Sequence, residues 1–376
     1  MEKPTGHVHL LKVTCSDVQN GTLDWQLYYA TAKEGWSESQ RIDFTLCREA
    51  QGFAAILVLS EEVDLGKLRI DFGEKAGRYV ISSLELRELP LLSEVLEADA
   101  KRVADHKIYH RFHEVSDDAW LKVLCWSYDH RKTVLPDFPE ESIQFGMVGS
   151  SGVSSLKEIY GFYREIRKTV SFNANTRVLD FGCGYGRLTR FFLKDTTKIF
   201  GVDTCEDFIK ICRDGFDMTP CQFIHNTPFP PLDIEDSSVD VITAYSVFTH
   251  LSEEAVNSWL DEFHRILKPG GVFIFTLRQK NFLEIFKQDV STSSPYVQGL
   301  AKFFGGDEML KKYDAGEYMY LPSGGGRELT NDFYGDAVIP ERYVRKIFAK
   351  KFEIQEMFDD NRRIPLLAFC ALKAVK

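Results

Sequence analysis

Val178-Leu179-Asp180-Phe181-Gly182-Cys183-Gly184-Tyr185-Gly186-Arg187 is the stretch that decides the fold. Apolar residues lead into an acidic one, three glycines then alternate with other residues, and a helix-forming stretch follows. That order reads as strand, tight turn and helix start. Glycine lacks a Cβ and tolerates positive φ, so backbone at such a turn approaches a ligand closely. The turn also aims helix N-terminal amides at whatever binds there. In a doubly wound α/β domain this is the place of a nucleotide-like ligand. The dinucleotide fingerprint G-x-G-x-x-G does not fit, because Gly186 comes one position early and Arg187 stands where that pattern wants glycine.

The downstream segments follow in the order such a domain requires. Ile199 to Asp203 reads as a second buried strand ending in a carboxylate, roughly 20 residues after the first motif. Asp203 suits the acceptance of two ribose hydroxyls or the N-cap of a helix from Glu206 to Arg213, and the two roles are compatible. A short strand ends near His225, and Asn226 precedes a proline-rich turn from Thr227 to Leu232. Asp240 to Leu251 reads as a fourth strand and its loop, and Ser252 caps a helix with Glu253 and Glu254 in its first turn. Val256, Trp259, Leu260, Phe263, Ile266 and Leu267 recur at helical spacing. Lys268-Pro269-Gly270-Gly271 is expected to stop that helix, and Val272 to Leu277 to form a fifth strand buried on both faces.

The run D-x-G-x-G-x-G, together with the series from Asp240 through Arg265-Ile266-Leu267-Lys268-Pro269-Gly270-Gly271, resembles class I S-adenosylmethionine-dependent methyltransferases over about residues 150 to 280. The resemblance implies an α/β fold: a Rossmann-like seven-stranded methyltransferase sheet with helices on both faces. It implies S-adenosyl-L-methionine as cofactor, with Asp180 orienting the loop and offsetting cofactor charge. Gly182, Gly184 and Gly186 would give backbone space, and Asp203 would hold the ribose. Asn226 falls where the family more often has an Asp near the adenine amine; an amide carbonyl also accepts from an amino group. In this family a helix ahead of the first strand often covers the pocket. Leu156, Ile159, Tyr160, Tyr163 and Ile166 form its stripe, and Tyr160 and Arg164 are either contacts of the methionyl end or core and surface residues.

Methyl transfer from a sulfonium is an in-line displacement that needs positioning and exclusion of water, not a metal. A hydroxyl acceptor benefits from a base. His250, in the loop after the fourth strand, is the candidate, the alternative being a histidine hydrogen-bonded at a helix start. His225, His110, His113 and His264 have weaker claims. Arg187 and Tyr245 are the substrate-binding candidates, with a helix-surface role the alternative for Arg187.

The chain of 376 residues is long enough for about two domains. A net charge of -10 argues against a general nucleic-acid binder. Its eight cysteines form no C-x-x-C pair, so reduced thiols are expected and neither a metal site nor a disulfide framework. Met1 to Leu11 lacks a signal-peptide core and no apolar run reaches membrane-spanning length, which makes the cytoplasm the expected compartment.

Residues 1–90 read as a β-rich module, with short strands at His7–Val13, Leu23–Ala30, Arg41–Cys47, Phe53–Leu59, Leu68–Phe72 and Arg78–Leu86 and turns at Asn20-Gly21, Gly35, Gly52 and Gly73. A small antiparallel β-sandwich is expected. The stretch from Trp25 to Phe44 resembles β-rich modules of some polysaccharide-modifying enzymes; Trp25, Tyr28, Tyr29 and Trp36 are either sugar-stacking or core aromatics. Residues 91–150 read as a helical connector, in which Leu91, Leu92, Val95 and Leu96 share a side, with a linker from Leu135 to Glu141. Residues 151–376 read as the catalytic domain, interrupted at about 278–340 by an aromatic insert containing the run Ser323 to Arg327. A final antiparallel hairpin, Phe352–Met357 and Leu366–Leu372, would complete the sheet.

The insert and the β-module point to a sugar, polysaccharide or other small-molecule hydroxyl as acceptor, and so to O-methylation. The competing functions are a non-catalytic scaffold on the same fold and a nicotinamide-dependent oxidoreductase, the latter opposed by the early Gly186. Subunit number is not legible.

Overall fold

The computed structural model describes residues 8–19, 21, 23–31, 40–49, 52–59, 63–72, 77–89, 115–129, 135–217, 219–287, 294–326 and 329–376. The expectations for Asn20, Gly35, Trp36, Gly73, Leu91 to Leu96, His110, His113 and Arg327 lie outside the described residues. The chain divides into two compact units, 1–174 with 190–197 and 215–220, and 175–189 with 198–214 and 221–376. Among the described residues no helix is long and apolar enough to cross a membrane.

Among the described residues the first unit begins with seven strands: β1 (Val8–Gln19), β2 (Asp24–Thr31), β3 (Arg41–Thr45), β4 (Cys47–Glu49), β5 (Gly52–Leu59), β6 (Val63–Asp71) and β7 (Arg78–Leu89). They form two antiparallel sheets, β4-β5-β1-β7 and β3-β2-β6. Alternate residues point one way from a strand. Leu11, Val13 and Cys15 of β1, Leu57 and Leu59 of β5, and Trp25 and Leu27 of β2 accordingly enter one shared cluster. The single strand expected from Arg41 to Cys47 is broken at Leu46, whose amide bonds to Leu23, so β3 and β4 join different sheets. Trp25 is 1% exposed and meets Phe44, Phe72 and Tyr79 edge-on. It is a core residue, and buried Tyr28 lies under the Arg69 guanidinium.

Helices α1 (Asp117–Asp129), α2 (Glu141–Val148) and α3 (Gly152–Thr169) follow. The segment from Leu135 to Glu140 is packed, unlike a free linker: Phe138 is buried under the Arg190 guanidinium, and the Asp137 amide donates to Gly215. The α3 stripe is buried as expected. Tyr160, however, spends its hydroxyl on Asp118 at 2.5 Å, and Arg164 pairs with Asp24. Lys194 sits 2.5 Å from Asp117, and Arg167 bridges Asp117 and Asp195. Two cations thus offset two buried anions, which a lone buried charge in this apolar setting would not survive.

The second unit is built on β8 (Arg177–Phe181), the short helix α4 (Thr189–Phe192) at its border, β9 (Lys198–Asp203), α5 (Glu206–Gly215), β10 (Gln222–His225), β11 (Val239–Ala244), α6 (Glu253–Ile266) and β12 (Leu267–Leu277). An insert then supplies α7 (Lys280–Lys287), α8 (Pro295–Phe304), α9 (Asp307–Ala315), β13 (Met319–Pro322) and β14 (Gly335–Val338). The chain closes with α10 (Glu341–Ile347), β15 (Phe352–Phe358) and β16 (Ala368–Ala374). The seven-stranded order is β10-β9-β8-β11-β12-β16-β15, parallel as far as β12 and antiparallel in the last two strands. Leu179, Ile242, Phe273 and Leu372 pack with α6 and α10 on one face. Val178, Val241, Ile274 and Ala371 are equally buried on the other, as expected for a sheet covered on both sides.

Lys268-Pro269-Gly270-Gly271 ends α6 but does not delay β12, which begins at Leu267. Pairing jumps from Val239↔Leu267 to Val241↔Val272, and Gly270 absorbs the extra residues at φ +75°. The insert is largely helical, with its own cluster of Phe282, Leu283, Leu300, Phe304, Met319 and Val338.

The segment after β10 is held by Arg265, whose guanidinium donates to Leu232 O, Ile234 O and Glu262, while Glu262 accepts the Leu232 amide at 2.6 Å. Arg265→Met leaves these carbonyls without their charged donor. We expect about 2 kcal/mol lower stability by urea denaturation; unchanged stability would show the staple to be dispensable.

Candidate functional site

The glycine loop is tied down by its own backbone. Gly182 N and Cys183 N both donate to Val202 O, at 2.9 and 3.0 Å, and Gly186 N donates to Cys183 O. Gly182, Gly184 and Gly186 lie at φ +69°, +54° and +74°. At Gly182 a second requirement applies, because a Cβ would collide with the Val247 side chain from the β11 loop. Glycine meets both demands at no steric cost.

Asp203, at the end of β9, closes this loop. Its Oδ2 accepts Gly184 N at 2.9 Å and its Oδ1 accepts Cys205 N at 2.9 Å. The Oδ1 bond is to the amide of Cys205, just ahead of α5, while the Phe208 and Ile209 amides of the first turn donate to Cys205 O. Burial pushes the Asp203 carboxyl up, and the Cys205 and Gly184 amides oppose this. With about four acceptor positions on its two oxygens, the carboxylate keeps room for a further donor.

Asp180 is 2% exposed. Thr189 donates to it at 2.6 Å and Thr243 lies at 3.4 Å, so the carboxyl joins β8, the start of α4 and β11 beneath the loop. Burial pushes its pKa up to about 7 against those hydroxyl bonds.

Asn226 donates its backbone amide to Asp203 O and its side-chain Nδ2 to Thr227 O at 2.8 Å. That second bond fixes which way the amide points. Its Oδ1 is left buried with no hydrogen-bond partner among the described residues. Buried acceptors are nearly always satisfied, so this oxygen marks a place for a donor. An adenine amine fits that requirement, as ribose hydroxyls fit the spare lone pairs of Asp203. The residues present therefore match an adenosyl group.

The loop after β11 carries the remaining candidates. Ser246 is held at φ +58°, a strained conformation for a non-glycine residue, by its amide bond to Thr276 Oγ1 at 2.7 Å. The Arg187 guanidinium lies 5.3 Å from the Tyr245 ring centroid, so the structure brings these two candidates together.

His250 is stitched to the insert. Gly335 N donates to His250 O, Ala337 N to Thr249 O, and Ser252 N to Phe333 O. Its Nδ1 lies 2.8 Å from Gly335 O, which makes Nδ1 the protonated nitrogen, and its ring stacks on Tyr334 at 5.0 Å. Nε2 makes no hydrogen bond among the described residues, and 19% of the side chain stays accessible. Burial, with Arg278 adding to it, pushes the imidazole down to about 4, opposed by Gly335 O and Asp336. Tyr334 in turn is pushed up to about 12, chiefly by burial, then by Asp336, Tyr296 and Asp203. The tyrosine under His250 thus lies within electrostatic reach of Asp203. Of the other histidines, His225 bonds to Thr204 O and His264 to Val375 O.

Sequence reasoning missed Thr189, Thr243, Ser246, Thr276, Arg278, Gly335 and Asp336. Gly335 and Asp336 lie some 85 residues from His250 with no local pattern linking them.

Residues 178–271 match a family model described as a methyltransferase domain. An uncharacterized methyltransferase of Geobacillus sp. is 26% identical over 119 residues, covering 32% of this chain and 55% of that protein. One of Oceanobacillus iheyensis is 27% identical over 125 residues, covering 32% and 56%. The chain spans about half the length of the curated relatives it matches. A solved S-adenosylmethionine dependent methyltransferase from Mesorhizobium loti is 12% identical, covering 57% of this chain and 97% of its own, with a TM-score of 0.40.

Asp180 generates a pH signature. Its folded carboxyl stays protonated up to about pH 7, whereas the unfolded one ionises near pH 4. The unfolded state therefore gains relative to the folded one between those values, and stability falls as pH rises across them. We expect Asp180→Asn to flatten that decline, measured by urea denaturation at pH 5 and 7.5; an unaltered slope would remove Asp180 as its source.

Proposed function

We propose, from the match of residues 178–271 to a methyltransferase domain and the site built on the glycine loop, that the protein is a class I S-adenosylmethionine-dependent methyltransferase acting on a hydroxyl of a sugar, polysaccharide or other small molecule. The cofactor, when bound, supplies an electrophilic methyl group on a charged sulfur. Everything else falls to the chain. Asp203 accepts the ribose hydroxyls with its unused lone pairs, and Asn226 Oδ1 accepts the adenine amine. Gly182, Gly184 and Gly186 let the backbone approach. Arg187 and Tyr245 serve the acceptor side.

His250 is the base. The supporting observation is its tautomer: with Nδ1–H committed to Gly335 O, the lone pair resides on Nε2. An imidazole that titrates near 4 keeps that lone pair at every physiological pH. With the cofactor held by Asp203 and Asn226, His250 Nε2 would take up the proton that the acceptor hydroxyl gives up on methylation.

The aromatic residues of the insert support a flat or sugar-like acceptor. The two N-terminal sheets are read as a β-sandwich-like accessory module over 1–90, joined by 91–150 to a catalytic domain over 151–376.

His250→Ala should lower kcat about 100-fold or more while calorimetry with S-adenosylhomocysteine gives wild-type affinity; full turnover would eliminate His250 as base. Asp203→Ala should weaken S-adenosylhomocysteine binding about tenfold or more through the lost charged acceptor, and wild-type affinity would defeat the ribose assignment. Methyl uptake by sugars and other hydroxyl compounds, screened with radiolabelled cofactor, tests the acceptor class.

A further inference from the structure

The proton that His250 would receive has a prearranged countercharge. Asp336, on β14, is 1% exposed, and its Oδ1 lies 3.6 Å from His250 Nδ1. The same oxygen accepts from Arg278 at 2.6 Å and from the Tyr296 hydroxyl at 2.7 Å, while Ser323 Oγ stands 3.4 Å from Oδ2. Arg278 also donates to Thr249 O, so the cation is fastened to the His250 loop. The hairpin register sets Asp336 opposite Leu321 and Gly335 opposite Pro322. Gly335 has no room for a Cβ, which would strike Leu321 O and the Tyr320 ring. Gly335 thus fixes the imidazole's hydrogen bond, and its neighbour Asp336 fixes the charge beside it.

We propose that Asp336 is the positioning residue for His250: the insert hairpin holds the ring with Nδ1–H turned to Gly335 and stations a carboxylate where an imidazolium forms. The inference rests on the reading of His250 as proton acceptor. Asp336 and Arg278 together carry no net charge, so the resting site does not force a proton onto the ring. The ring's surroundings are Arg278 after β12, Tyr296 on α8, and Tyr334, Gly335 O and Asp336 from the hairpin. Tyr296 and Tyr334 stay neutral, burial raising both hydroxyls. Arg278 and Asp336 are therefore the charges that act on the imidazole, with opposite signs. Opposite shifts on their removal show that both charges act on the ring, and a fall in kcat with unchanged cofactor affinity shows that the carboxylate serves it in turnover.

The test is a histidine-labelled NMR titration of the full chain, with the His250 signal identified by its loss in His250→Gln. Arg278→Met should raise the imidazole pKa by about 1 unit or more. Asp336→Asn should keep the ring neutral across the whole folded pH range. It should also lower kcat at least about tenfold, with S-adenosylhomocysteine affinity unchanged. Shifts of the same sign in both variants, or no upward shift in Arg278→Met, overturn the proposal. If Asp336→Asn does not fold, the Arg278→Met titration decides alone. The titrations need no turnover, so opposite shifts combined with full activity of His250→Ala would sink the base reading and leave the charge pair standing.

Discussion

The second unit depends on one close approach. Two amides of the glycine loop, Gly182 and Cys183, must reach the carbonyl of Val202, and a third, Gly184, must reach the carboxylate of Asp203. These bonds pull β8 and β9 together at the end where the parallel strands open, and they require positive φ at successive glycines. A Cβ at Gly182 would meet Val247, so the same constraint also sets how near the β11 loop comes. The cradle is therefore made by backbone, and the side chains Asp180, Asp203 and Asn226 support it from beneath and from its rim.

The second theme is the use of buried polar groups. Asp180 has hydroxyl partners and a raised pKa. Asp336 has a guanidinium, a phenol and a neighbouring imidazole. Asn226 Oδ1 is left without a partner among the described residues. A buried polar group costs free energy unless it is bonded, so the satisfied carboxylates build the scaffold, while Asn226 Oδ1 retains an acceptor site. The insert matters for the same reason. Its hairpin is hydrogen-bonded along Thr249 to Ser252, which makes a segment remote in sequence part of the wall beside His250.

Much of this was legible beforehand. The strand–glycine–helix motif, the carboxylate ending β9 and the α6 stripe follow from local patterns, because period, capping and glycine spacing act over a few residues, while the closing antiparallel hairpin was what the resemblance implied. Tertiary packing settled what lay beyond that range. Tyr160 had two readings, a cofactor contact or the favoured core residue, and the position of Asp118 engaged its hydroxyl. Trp25 was a sugar platform or a core residue until Phe44, Phe72 and Tyr79 surrounded it. The start of β12 was misjudged because Gly270 permits a bulge that a helix-stop signal does not reveal.

The sequence by itself determined the class of fold, because strand, turn and helix signals reside in runs of neighbouring residues, and the motifs in it carried the resemblance that implies the cofactor. Only the tertiary structure decided which nitrogen of His250 carries the proton, since that depends on a carbonyl 85 residues away. It alone set Asp336 and Arg278 beside the ring, because charges act through space and leave no period in the chain.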